Sequence, residues 1–152
     1  MVNSPGDPTH FHLGGQEAEY VEVWVISRST EPDYWDGNWL SCKVNLKAGG
    51  FGGRYAADLR TEELGQFHSE VQSLYQSITG VAHLRTMEEQ LQLELEGDGR
   101  GHIRCRGKAR DSAGTGNALH FELALDQTQL FGTMVQLSEL LARYPVRGSP
   151  AV

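Results

Sequence analysis

The stretch "LSCKVNLKAGGFGGRYAADL", residues 40–59, limits the fold more than any other. Leu40, Cys42, Val44 and Leu46 alternate with Ser41, Lys43, Asn45 and Lys47. A strict two-residue period describes a strand with one dry and one wet face. Gly49-Gly50 is a two-residue hairpin signal. A turn there sets Leu40 opposite Leu59, Cys42 opposite Ala57 and Val44 opposite Tyr55, so the apolar rows coincide. A one-residue slip would turn the whole row to water. The chain must therefore cover one face of an antiparallel sheet.

The remaining segments continue the pattern. Residues 18–27, "AEYVEVWVIS", read as a strand. The stripe Leu64, Phe67, Val71, Leu74, Tyr75 and Ile78 predicts a helix, with Thr61 as its cap and Gly80 as its stop. Four strands follow, over 81–86, 90–96, 102–110 and 117–125. Leu91, Leu93 and Leu95 face in, and Gln90, Gln92, Glu94 and Glu96 face out. An odd-length turn over Asp98–Arg100 sets Leu95 opposite Ile103, Glu96 opposite His102 and Glu94 opposite Arg104. The next hairpin lays Phe121 over Gly107 and sets Glu122 opposite Arg106. A last helix spans 128–143. Leu130, Met134, Leu137 and Leu141 form its stripe, widened by Phe131, Val135, Leu140 and Tyr144. Asp126 or Thr128 caps it, and Pro145 ends it.

The order is β-β-β-α-β-β-β-β-α. It predicts an α+β fold: a curved antiparallel sheet of about seven strands with two helices on its apolar face. Residues 1–17 are expected to be a flexible leader, 18–144 a single globular domain and 145–152 a flexible tail. Cys42 and Cys105 fall at inward positions and are expected to be reduced and buried.

The chemistry-bearing motifs of hydrolases, NTPases and metalloproteins are missing from the sequence. "GGFGG" and "GDGRG" each join two strands, whereas a phosphate loop opens a helix. His10 and His12 lie in the expected leader, without visible further ligands for a metal. His68, His83, His102 and His120 sit on polar faces, with His102 facing a glutamate. No catalytic, cofactor or metal residue is assigned, and the chain is expected not to be an enzyme. A net charge of -7 disfavours nonspecific nucleic-acid binding. No apolar run reaches the roughly 20 residues of a membrane span. No signal-peptide pattern opens the sequence, so a soluble, cytoplasmic protein is expected.

One stretch does not reduce to core and turn: "YWDGNWL", residues 34–40, with two of the three tryptophans. Asp36 is placed to accept the Asn38 N–H in an Asx-turn. Parity puts Trp39 on the wet face beside Arg60, whose guanidinium would stack on the indole. Either the preceding segment covers Trp39, or Asp33, Tyr34, Trp35, Asp36 and Trp39 form a partner-binding surface. The covering reading is preferred.

"DYWDGNWL", "LKAGGFGGRYAADL", "LQLELEGDGRGHIRCRGKARD" and "LHFELALDQTQL" together resemble the WapI-type immunity proteins over roughly residues 20–142. The resemblance implies a cytoplasmic bacterial protein that binds and neutralises a cognate toxin domain, in the best-known system one that attacks tRNA. An acidic surface would occlude a basic nuclease cleft. The alternative is a small-molecule binding module in which Trp24, Trp35 or Tyr55 lines a pocket between sheet and helices.

Overall fold

The computed structural model describes residues 9–15 and 18–150. Eight strands and three helices follow in the order β1 (Thr9–Gly14), β2 (Tyr20–Arg28), α1 (Tyr34–Gly37), β3 (Trp39–Ala48), β4 (Phe51–Arg60), α2 (Thr61–Ser77), β5 (Thr79–Leu84), β6 (Leu91–Asp98), β7 (His102–Ser112), β8 (Thr115–Asp126) and α3 (Gln127–Arg143). The fold is α+β, but the single seven-stranded sheet is corrected to two antiparallel four-stranded sheets, β1-β2-β3-β4 and β5-β6-β7-β8. Alternation reports which face is dry. It is identical whether the dry faces belong to one curved sheet or to two that share a core. Here the inward rows of both sheets merge with α2 and α3 into one apolar cluster.

The 40–59 hairpin has the expected register, with Leu40, Cys42 and Val44 opposite Leu59, Ala57 and Tyr55. Phe121 lies opposite Gly107 and Glu122 opposite Arg106. A Cβ at Gly107 would collide with the Phe121 ring, so glycine there makes room for the aromatic. The β6–β7 hairpin keeps Leu93, Leu95, Ile103 and Cys105 inward but is shifted by two residues. Leu95 meets Cys105, Glu96 meets Arg104 and Glu94 meets Arg106. The turn is 99–101 rather than 98–100, which preserves parity. Asp98 fixes it: its carboxylate accepts the Arg100 and His102 N–H groups at 2.7 and 3.1 Å. Gly99 and Gly101 supply the left-handed backbone. His102 therefore faces Asp126 across β8 and bonds Asp98, not a glutamate.

The expected leader contains β1, which pairs along β2 and buries Phe11 and Leu13 completely. Its other leader positions, 1–8 and 16–17, and tail positions 151–152, lie outside the described residues. Within the expected tail, Arg147 is tied into the fold by four hydrogen bonds.

The helices cover sheet edges as well as core. On α3, Thr133 Oγ1 donates to the His12 carbonyl at 2.5 Å, and Gln136 Oε1 accepts the His12 N–H at 2.8 Å. These bonds satisfy His12 on the outer edge of β1. They also turn the helix so that Leu130, Thr133, Leu137 and Leu140 face in, while Phe131 and Val135 remain exposed. Glu70 on α2 accepts the His83 N–H at 2.9 Å, which does the same for β5. Two helix-end expectations change in detail, both on α2, while α3 starts from an expected cap residue. Thr61 is the first residue of α2 rather than its cap, and Glu63 accepts the Arg60 N–H instead. α2 stops at Ile78, left-handed at φ 56°, before Gly80. α3 is entered from Asp126, whose N–H is accepted by Gln129.

Gln90, expected to face out, is buried and joins the two sheets. Its side-chain amide donates to the Ala56 carbonyl at 3.0 Å and accepts the Asp58 N–H at 3.0 Å. Its own carbonyl accepts the Tyr55 hydroxyl and the Arg110 N–H. Replacing Gln90 with Leu strands two backbone groups of β4. Stability should fall by about 2–4 kcal/mol in denaturant unfolding, far above the cost expected for an exposed glutamine.

Candidate functional site

"YWDGNWL" is built around a cation. Arg60, the last residue of β4, is 1% exposed. Its guanidinium donates to the carbonyls of Tyr34 and Trp35, each at 2.7 Å, and to the Glu62 carboxylate. Three rings surround it, with centroids 4.8 Å (Trp39), 5.4 Å (Tyr34) and 5.5 Å (Trp35) from the guanidinium carbon. Hydrogen bonds and cation–π contact together satisfy a charge that burial alone would make costly. The Trp39–Arg60 pairing follows the hairpin register, and Trp39 is partly covered.

Asn38 is the second anchor and is fully buried. Its amide donates to the Tyr34 and Arg147 carbonyls, and its oxygen accepts from Arg28 Nη2 and the Arg147 N–H. Gly37 lies against the Glu31 carbonyl, where any Cβ would collide. Arg28 Nε donates to the Gly37 carbonyl at 3.0 Å. Gly37, Asn38 and Trp39 are therefore structural.

The turn expected from Asp36 is made by Asp33. Residues 34–37 form one helical turn, and the Asp33 carboxylate caps it by accepting the Asp36 N–H at 3.1 Å. A four-residue helix was not legible, because a single turn shows no apolar period. The Asp36 carboxylate has no hydrogen-bond or ion-pair partner among the described residues.

Of the five candidate residues, Tyr34 and Trp39 are partly buried against Arg60, whereas Asp33, Trp35 and Asp36 are exposed. Desolvation, then the neighbouring Glu62 carboxylate, hold the Tyr34 phenol above its usual pKa. Trp35 is 54% exposed, yet its ring meets Tyr34 edge-on at 4.9 Å. The result is a fixed indole with one bare side, flanked by Asp33 and Asp36. Glu31 is exposed nearby. Sequence reasoning placed Asn38 in the turn through its N–H, but missed its side chain, Arg28 and Arg147 as supports. The two arginines meet it from distant segments.

Trp24, Trp35 and Tyr55 do not line one pocket. Trp24 stacks on His10 at 4.0 Å on the wet face of its sheet, and Tyr55 lines a cleft beside β4 that neither tryptophan reaches. His12 contacts Glu22 and Gly15. Cys42 and Cys105 are buried free thiols, both pushed up to about 12 by desolvation, which makes them poor nucleophiles.

The supports separate the two acids. Asp33→Ala removes a cap and should cost about 0.5–2 kcal/mol. Asp36→Ala should stay within about 0.5 kcal/mol of the parent. Arg60→Leu should cost about 3–5 kcal/mol, because two carbonyls and Glu62 lose their partner. Chemical denaturation of the three variants measures all of these.

No curated protein matches the chain. The model of the immunity protein WapI-like family matches residues 12–145, from β1 to just past α3 and across every element that builds the Arg60 hub. The chain belongs to the WapI-like immunity protein family.

Proposed function

We propose that the protein neutralises a cognate toxin domain in the cytoplasm, by binding and occluding it without catalysis. The contact is centred on Trp35, with Asp33 and Asp36 beside it. Tyr34 and Trp39 belong to the same stretch but act from below, by holding Trp35 through Arg60. The observation that carries the reading is the half-bare Trp35 indole on a rigid support, next to a carboxylate with no partner among the described residues. A fixed aromatic costs little ordering entropy on binding, and interface energy concentrates in such residues. The acids and the net charge of -7 suit a basic partner such as a nuclease, whose cleft must attract a polyanion. No helix among the described residues is long and apolar enough to cross a membrane, which agrees with action in the cytoplasm.

The test uses a purified toxin domain whose growth arrest this chain relieves on co-expression. Trp35→Ala removes one of the three rings on Arg60 and should cost no more than about 1 kcal/mol of stability, while affinity falls roughly 30-fold or more, the loss of one interface hot spot. Unchanged affinity would remove Trp35 from the contact. Association should also slow as salt rises, since at about 0.15 M the screening length is only about 8 Å. A rate that does not respond to salt rejects steering by charge.

A further inference from the structure

β4 is an edge strand, and its free edge is only partly covered. The Gln90 amide identifies which groups face outward, since it takes the Ala56 carbonyl and the Asp58 N–H. Along a strand, alternate residues present their backbone groups to the same side. Gly52 and Arg54 therefore continue the row begun by Asp58 and Ala56, while Phe51, Gly53, Tyr55 and Ala57 are turned toward β3. Gly52 and Arg54 have no partner strand on that side among the described residues.

A cleft of about 350 Å³ runs along this open stretch. Leu46, Phe51 and Tyr55 form one wall and Ala118 and Leu119 the other. Phe51 is 69% exposed. The cleft lies in line with β6. That strand's first residue, Leu91, pairs with Ala109, and β7 runs on beyond it to Ser112. The chain itself leaves this line at Glu89, whose φ of 57° turns it away. Gln90 then offers β4 a side-chain amide in place of a further strand residue. The edges of β1 and β5 are bonded by side chains of α3 and α2 at His12 and His83. Among the described residues the Gly52–Arg54 edge has no such cover, and glycine leaves its backbone bare.

We infer that this cleft is a strand-addition site: it takes an extended segment of a partner protein, with one apolar side chain set between the two sheets. The peptide pairs with Gly52, Arg54 and the Ala56 N–H, as Gln90 already pairs with the next groups. Backbone bonds supply affinity, and the Leu46, Phe51, Tyr55 and Leu119 walls select an apolar residue. The site is separate from the Trp35 contact and does not depend on it.

The probes are three blocked pentapeptides, Thr-Xaa-Thr-Xaa-Thr, with Val, Phe or Asp at both Xaa positions. Amide NMR and hydrogen exchange are read on the full chain. The Val or Phe peptide should shift the Gly52, Arg54 and Ala56 amides. It should also slow exchange at Arg54 and Ala56 about tenfold or more, as backbone groups entering a ladder do. The Asp peptide should not. Arg54→Pro removes an outward N–H that an edge strand can spare, and should weaken binding at least about tenfold while the fold is kept. If that variant is unfolded, Ala118→Trp, which fills the cleft from the other wall, should block binding in its place. No shift with any peptide, equal binding by the folded blocking variant, or a concentration-dependent dimer pairing β4 with β4 would each overturn the inference.

Discussion

Burying the Arg60 guanidinium is the constraint on which the rest of this face depends. A charge that is 1% exposed must find fixed partners, and Arg60 finds two carbonyls, one carboxylate and three rings. Those partners all come from residues 34, 35, 39 and 62. The cation thus decides where α1 sits and how β4 passes into α2, and it covers the Trp39 ring that the hairpin register turns toward it. Lys could not replace it, since the fork geometry reaches two carbonyls and a carboxylate at once while its flat face meets rings. Asn38 repeats the logic on the other side of the turn, linking it to Arg28 and the backbone of Arg147. Only after these demands are met does one large side chain, Trp35, remain half bare.

The second organising element is also a polar side chain in a dry place. Gln90 holds β4 against the start of β6 with a primary amide, the one side chain that copies a peptide group as donor and acceptor together. Covering helices meet β1 and β5 the same way, through Thr133, Gln136 and Glu70. The core is conventional close packing of Leu, Val and Phe. The arrangement of its two sheets is fixed by a few amides and carboxylates on strand edges.

This division explains what the sequence disclosed. The β3–β4 register was legible because alternation and Gly49-Gly50 agree on it. The Phe121–Gly107 contact was legible from parity and a connection placed at 111–117, and the hairpin has that register. Inward and outward rows were right nearly throughout. The β6–β7 register was two residues off, since parity cannot tell a turn at 98–100 from one at 99–101, and Asp98 decides. β1 was hidden because "HFHL" offers only two apolar residues, in a glycine- and proline-rich setting. Two sheets were read as one because the same alternation serves both. Gln90 was placed outward because its parity is that of a wet-face residue, and only the opposing strand makes its position dry. At the candidate site, the pairing of Trp39 with Arg60 was readable from the hairpin, whereas the change of role from Asp36 to Asp33 depends on a single helical turn with no periodic signal.

Membership in the WapI-like immunity family and the shape of this face support the proposal at the centre of this account, that a structural cation holds Trp35 out for a toxin. The most direct measurement is deuterium uptake by the protein with and without a toxin domain that it neutralises on co-expression. The account expects complex formation to protect residues 33–37 and the start of α2, with little change on the outer face of β5–β8. Protection confined to that outer face, with uptake over 33–37 unchanged, would contradict it.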